Sequence, residues 1–360
     1  MTKSSKEQPS GANASARKPI PFSPLPVNTY EAAIPVIPAS DCGLPYLPGT
    51  PRLSVILIVY KMPRQAMNTL VSLTAGYQRG VTAEDYEVIV LENASSQMLC
   101  ADEVHALAPN FRYFARQEKE PTPVHAVSYG ASVARANMIA VMIDGARMLT
   151  PGAVAMAIAA QRLSQHVVVA VPGYHLGEKL QQEAMLQGYD EQAEKALLGS
   201  IAWPGDGYRL FDISCLSGTS IGGYFRPMGE SNFICVSREV WQRVGGFDPL
   251  FDQTGGGQVN LDFYKRVCEL PETILIVLAG EGSFHQFHGG ITTGQQGDVR
   301  RQIMTDHFAQ YAAIRGGAYR PPEKRAILFG AFPDNTMKTA EFAARNVRAA
   351  RGELADQASG

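Results

Sequence analysis

The apolar run in "VMIDGARMLTP" (141–151) stops abruptly on Asp144-Gly145-Ala146-Arg147. A carboxylate at the end of a buried strand is either a turn former or an acid held out to grip a charged ligand. A second acid, Glu92, followed by Asn93, stands in the same position after "YEVIVL" (86–91). Further on, "GEGSFHQFHGG" (280–290) carries Glu281 and two histidines, His285 and His288, followed by Gly289-Gly290. Imidazole titrates near neutrality and is the commonest nitrogen ligand for metals.

The elements that must position these groups follow from periodicity. "LSVILIVY" (53–60) is a continuous apolar, β-branched run, as expected of a strand covered on both faces. Pro63 opens a helical stretch in which Met67, Leu70 and Val71 give one apolar face. "YEVIVLEN" (86–93) is a second strand, and "SSQMLCADEVHALA" a second helix with Ser95 or Ser96 as N-cap. "FRYFAR" (111–116), "MIAVMID" (138–144) and "VVVAVPG" (167–173) are further strands. Between them lie the close-packing helix "TPVHAVSYGASVARA" and the helix "PGAVAMAIAAQRL". Strands alternating with helices predict a mostly parallel α/β sheet flanked by helices. Ligands of such sheets bind beyond the carboxyl ends of the strands. Glu92 and Asp144 then share one rim, which favours a ligand site over two separate turns.

After Gly173 the regularity breaks into a polar helical insert (177–200). It returns as a strand, "SNFICVS", and a helix, "REVWQRVG", stopped by Gly245-Gly246. A Gly-rich loop, Gly255 to Gly257, enters an amphipathic helix, and Asp262 sits in its first turn, where the helix dipole favours an acid.

The 360 residues are 45% hydrophobic with a formal net charge of −2, which argues against a nucleic-acid partner. The apolar runs are strand-sized, well short of the roughly 20 residues of a membrane helix. The N-terminus has no apolar segment behind its charges and is not expected to be a secretory signal. Five scattered cysteines, at 42, 100, 215, 235 and 268, read as free thiols in a reducing compartment, so a cytoplasmic protein is expected. Residues 1–50, rich in Pro, Ser, Ala and Gly, are expected as a disordered or extended arm. The folded domain is placed at 51–318, in two halves, 51–173 and 174–318. A peripheral helical tail follows at 319–360.

In order and spacing, "LSVILIVYKMPRQAMNTLVSL", "YEVIVLENAS", "ARANMIAVMIDGARMLTPGAV" and "REVWQRVGGFDPLFD" resemble the family-two glycosyltransferases of the GT-A fold, over about residues 52–290. The resemblance implies an inverting transferase that moves a sugar from a nucleotide-diphosphate donor to a glycan or small-molecule acceptor. It makes residues 51–173 the nucleotide-binding half and 174–318 the acceptor half, and it places Val59, Tyr60 and Lys61 around the base. Glu92 and Asn93 stand where the family uses an acid for the ribose or uracil. The family's Asp-x-Asp, which holds a divalent cation on the diphosphate, is here Asp144-Gly145-Ala146, with one carboxylate missing. Arg147 is placed to take phosphate charge. The resemblance also offers His285 or His288 to complete the metal site, His288 being favoured beside Gly289-Gly290, and imidazole suits Mn2+ better than Mg2+. A zinc site on the two histidines would need a third ligand that the sequence does not make obvious.

The family's catalytic Glu-Asp pair falls on Val259-Asn260, and asparagine is no base. Asp262, Glu281 and Asp252 are the remaining candidates for that role. If none serves, the chain is a GT-A-like nucleotide or glycan binding module without catalysis. Asp248, in "GGFDPLF", is expected to cap the next turn, and Trp203 and Tyr224 are candidate sugar platforms. A nucleotidyltransferase is disfavoured, because no Gly-rich, basic triphosphate loop follows the first strand.

Overall fold

The computed structural model describes residues 49–288 and 297–352. The N-terminal arm, except for its last two residues, and Gly289-Gly290 lie outside the described residues.

The first half runs β1 (Leu53–Val59), α1 (Pro63–Ser72), β2 (Tyr86–Asn93), α2 (Ala101–Leu107), β3 (Phe111–Arg116), α3 (Val124–Val133), β4 (Met138–Met142), β5 (Arg147–Leu149), α4 (Ala153–Ala160), β6 (Val167–Ala170) and β7 (Gly173–Leu176). The second half runs α5 (Gln181–Ala184), α6 (Glu191–Ser200), β8 (Ser214–Leu216), β9 (Ile234–Ser237), α7 (Arg238–Val244), α8 (Val259–Glu269), β10 (Ile274–Ala279), β11 (Ser283–His285), α9 (Gly297–Arg315), β12 (Ile327–Gly330) and α10 (Met337–Ala350).

The large sheet has the order β12-β10-β6-β9-β4-β1-β2-β3. Every neighbouring pair is parallel except those of β9, which is antiparallel to both β4 and β6. The mostly parallel sheet predicted from the alternating pattern is therefore present. All seven residues of β1 are buried, which explains its unbroken apolar sequence. Val55, Leu57 and Val59 pack with Met138, Ala140 and Met142 on one face, while Ile56 and Ile58 join Ile139 and Val141 on the other. Burying each such side chain contributes about 1.5–3 kcal/mol. α3 lies close against the second face, since a Cβ on Gly130 would come within 2.7 Å of Ile56 and 2.8 Å of Leu91.

From β1 the chain steps outward through β2 to β3 and then returns to place β4 on the other side of β1. This reversal opens a crevice past the carboxyl ends of β1 and β4. A smaller sheet, ordered β5-β11-β7-β8, stands beside the large one. The chain leaves the large sheet at Met142 and enters the small one at Arg147, so Asp144 lies on the seam between them.

Several elements differ from the sequence expectation. α2 starts at Ala101, with Cys100 rather than Ser95 or Ser96 at its N-cap, and Ser95 Oγ instead accepts from the Gln97 amide in a local turn. The polar insert is two helices, parted at left-handed Gly188. Residues beyond 318 supply β12, which pairs with β10 at the sheet edge, and α10, which buries Ala343 and Val347. No described helix is long and apolar enough to cross a membrane.

Candidate functional site

Asp144 forms a turn and also faces a cluster of ligating groups. Its Oδ1 accepts from the Ala146 amide at 3.0 Å, which fixes the Asp-Gly-Ala turn. A Cβ on Gly145 would lie 2.8 Å from the Ile58 carbonyl, so the turn presses directly on the end of β1. The carboxylate then meets both histidines: His285 Nε2 is 3.0 Å from Oδ2, and His288 Nε2 is 3.6 Å from Oδ1. The two Nε2 atoms are 3.0 Å apart. Ligand atoms bound at about 2.0–2.2 Å to one ion stand roughly 3.0–3.6 Å from each other, so the three side chains fit a shared cation. Among the described residues they form the one such three-member group.

The local electrostatics agree with this fit. Burial, with Arg147 adding to it, holds His285 down to about 4 against the pull of Asp144. For Asp144, burial opposes ionisation, but the two imidazoles outweigh it and the carboxyl sits well below its ordinary value. Arg147 Nε donates to Asp144 Oδ2 at 3.3 Å, while its buried Nη1 has no partner.

The turn that carries the histidines is gripped from two helices. From α1, Gln65 Nε2 donates to the Phe287 carbonyl at 2.6 Å and Asn68 Nδ2 to Gln286 Oε1 at 2.8 Å. Gln286 Nε2 donates back to the Gln65 carbonyl at 2.9 Å. From α6, fully buried Glu194 accepts from the Phe287 amide and from Arg64. The Gln286 amide also donates to the Ala146 carbonyl at 2.9 Å, which ties the histidine turn to the aspartate turn.

These groups floor a cleft of about 650 Å³ at the carboxyl rim of the large sheet. Tyr60, Lys61, Asn93, Asp144, Arg147, His285 and His288 all line it. Tyr60 is 46% exposed, and Lys61 holds a left-handed backbone at φ 55° with its Nζ 5.0 Å from the Tyr60 ring.

Other expected residues do not reach the cleft. Val59 is fully buried, and Gly145 is turned against β1. Glu92 points to the opposite face of β2, where it accepts from the Leu99 amide at 3.0 Å and the Tyr113 hydroxyl at 2.7 Å, so it is not free to bind a ribose. Asp262, 1% exposed, accepts from Arg266 at 2.7 Å and Arg315 at 2.6 Å and cannot serve as a base. Glu281 is buried and accepts from the Thr150 and Tyr208 hydroxyls and the Gly152 amide, also outside the cleft. Asp252 accepts from Gln310 at 2.7 Å. Asp248 caps the Leu250 amide at 3.0 Å and binds Arg315, as a turn-organising residue should. Trp203 and Tyr224 belong to packed clusters rather than to the cleft wall.

Two parts of the wall were not anticipated: the Gln117–Pro121 segment after β3, and His307 on α9. The first could have been found from its place after a parallel strand. The second lies in a helix with no clear apolar face and gave no signal.

No protein-family model matches the sequence, and the comparison with curated proteins gives no match. Among solved structures the chain is similar to S. aureus TarS, at a TM-score of 0.44 and 10% identity, covering 73% of this chain and 44% of that one. It is also similar to the mannosyltransferase PcManGT from Pyrobaculum calidifontis, in complex with GDP-Man and Mn2+, at 0.41 and 15%, covering 85% and 77%. A third is S. aureus TarS 1-349 in complex with UDP-GlcNAc, at 0.43 and 11%, covering 72% and 66%. The chain thus spans less than half of the full TarS chain that it matches.

Proposed function

We propose that the chain is a glycosyltransferase of the GT-A kind, which moves a sugar from a nucleoside-diphosphate donor to a hydroxyl-bearing acceptor with inversion. One observation carries the reading: a carboxylate and two imidazoles converge on one point, beside an arginine, in the floor of a cleft at the carboxyl rim of a mostly parallel sheet. The order of motifs along the sequence supports the same reading.

Asp144, His285 and His288 would hold a divalent cation, and Mn2+ suits this mixed oxygen and nitrogen set better than Mg2+ does. Such an ion, when bound, neutralises charge on a departing diphosphate. Arg147 adds a fixed cation at the same place. Tyr60 and Asn93 face the volume where the nucleoside would lie.

Titrating the full chain with Mn2+, then offering a panel of nucleotide sugars and measuring released nucleoside diphosphate, tests the reading. Because Zn2+ binds such ligands more tightly than Mn2+ does, the protein is first stripped with a chelator. Asp144→Ala is expected to abolish tight Mn2+ binding and to lower release by about 100-fold or more. Undiminished release in that variant would sink the proposal.

A second reading, a non-catalytic binding module, draws on the burial of both carboxylates expected as bases, Asp262 and Glu281. Its signature is Mn2+-dependent nucleotide binding with no turnover of any donor.

A further inference from the structure

One wall of the cleft, supplied by the loop before α8 and by α9, carries an imidazole without a hydrogen-bond partner, with two unpartnered glutamine oxygens packed behind the loop. That loop is Thr254–Gly257, and three successive glycines there hold left-handed φ values of 74°, 83° and 56°. The point that a Cβ on Gly257 would occupy lies 3.2 Å from Gln310 Oε1, 3.5 Å from Gln253 Oε1 and 3.7 Å from His307 Cδ2. Both amide oxygens are buried and lack a donor, although the Nε2 of each glutamine is used, Gln253 on the Asp306 carbonyl and Gln310 on Asp252. His307 is 6% exposed, lines the cleft, and makes no hydrogen bond with any described residue. An imidazole on the cleft wall whose side chain has no partner suits a ligand that brings a hydroxyl proton.

Resting on the transferase reading above, we propose that His307 is the general base that takes the proton from the acceptor hydroxyl. The acceptor O–H proton passes to an imidazole nitrogen as the acceptor oxygen bonds to the anomeric carbon of the donor. The bond from that carbon to the β-phosphate oxygen breaks, and its electron pair leaves with the nucleoside diphosphate. The imidazolium then returns its proton to water.

Competing bases in the same cleft are engaged elsewhere. Glu118 is ion-paired with Arg116, Glu120 contacts His125 Nε2, and Asp144 faces the two proposed histidine ligands. Burial lowers the His307 imidazole below its ordinary value, with Asp306 opposing, which leaves it unprotonated and able to accept at neutral pH.

The experiment measures Mn2+-dependent release of nucleoside diphosphate with water as acceptor, on the full chain, for wild type, His307→Gln and His307→Glu. A general base contributes about 10²- to 10⁴-fold, so His307→Gln should lose at least ~100-fold in kcat. Donor KM and Mn2+ affinity should stay within about threefold, because the residue is not proposed to touch either one. His307→Glu should recover about tenfold or more over the glutamine variant, since a carboxylate can also accept the proton. A merely structural role would lower Tm and raise KM without such recovery. Turnover of His307→Gln within about threefold of wild type overturns the proposal while leaving the transferase reading intact. If wild type binds Mn2+ and nucleotide but releases nothing from any donor, the transferase reading fails and this role falls with it.

Discussion

At the scale of single residues, the candidate site gives one carboxylate two duties. Asp144 forms the turn through Oδ1 and also faces the imidazoles. Ala146, where the resembled family carries its second acid, is fully buried with its amide committed to Asp144. A carboxylate there would have no water and no room, and in the proposed site residues 285 and 288 would stand in for the missing ligand. Not every buried acid here serves the site. Glu87, fully buried in β2, accepts from Ser54 at 2.7 Å, the Arg135 amide at 2.7 Å and Arg112 at 2.8 Å. Burial alone would raise its pKa, but these bonds outweigh it and lower the folded value. Its stabilisation is therefore present above the unfolded value of about 4.3 and is lost as pH falls through the lower folded one. Glu87→Gln should cost about 1–3 kcal/mol in urea unfolding at pH 7. The gap to wild type should close on acidification below about pH 4, and a gap independent of pH would contradict the assignment.

At the scale of elements, the clamp on the histidine turn positions the proposed ligands. α1 and α6 grip Phe287 and Gln286 and so aim both rings at the seam. Glu194→Ala removes the α6 side of that grip without touching a ligand. It should weaken Mn2+ binding by about 10–100-fold, read by direct titration, while the fold persists by circular dichroism. Unchanged affinity would show that the turn holds itself.

Long buried strands were legible in the sequence: β1, β2, β3 and β4 follow their apolar runs almost to the residue. The small sheet was not, because β5, β8 and β11 are three residues each and β7 four, too short for a period to register. α9 escaped for another reason, since its sequence presents charged or polar groups on most faces. The convergence of Asp144 with His285 and His288 could be anticipated because strand ends and histidine spacing are local signals. The sequestration of Glu92, Asp262 and Glu281 could not, since each is held by partners from distant segments.

At the scale of the whole molecule, the proposed cation would bridge two sheets. Asp144 leaves the large sheet, while His285 belongs to the small one, in register between Arg147 and His175. An ion that binds only when both are assembled adds stability by mass action, about 2.7 kcal/mol at a free concentration one hundred times its Kd. Saturating Mn2+ should accordingly raise Tm by several degrees, EDTA should reverse the rise, and Asp144→Ala should show no response. The three-glycine tract carries a consequence for engineering. Positive φ at all three positions disfavours most L-amino acids, and a methyl group at 256 would strike the Pro123 ring at 2.9 Å. Side-chain diversity is thereby barred from that stretch of wall, so an installed acid would have to enter at Thr254 or reach across from a neighbouring helix.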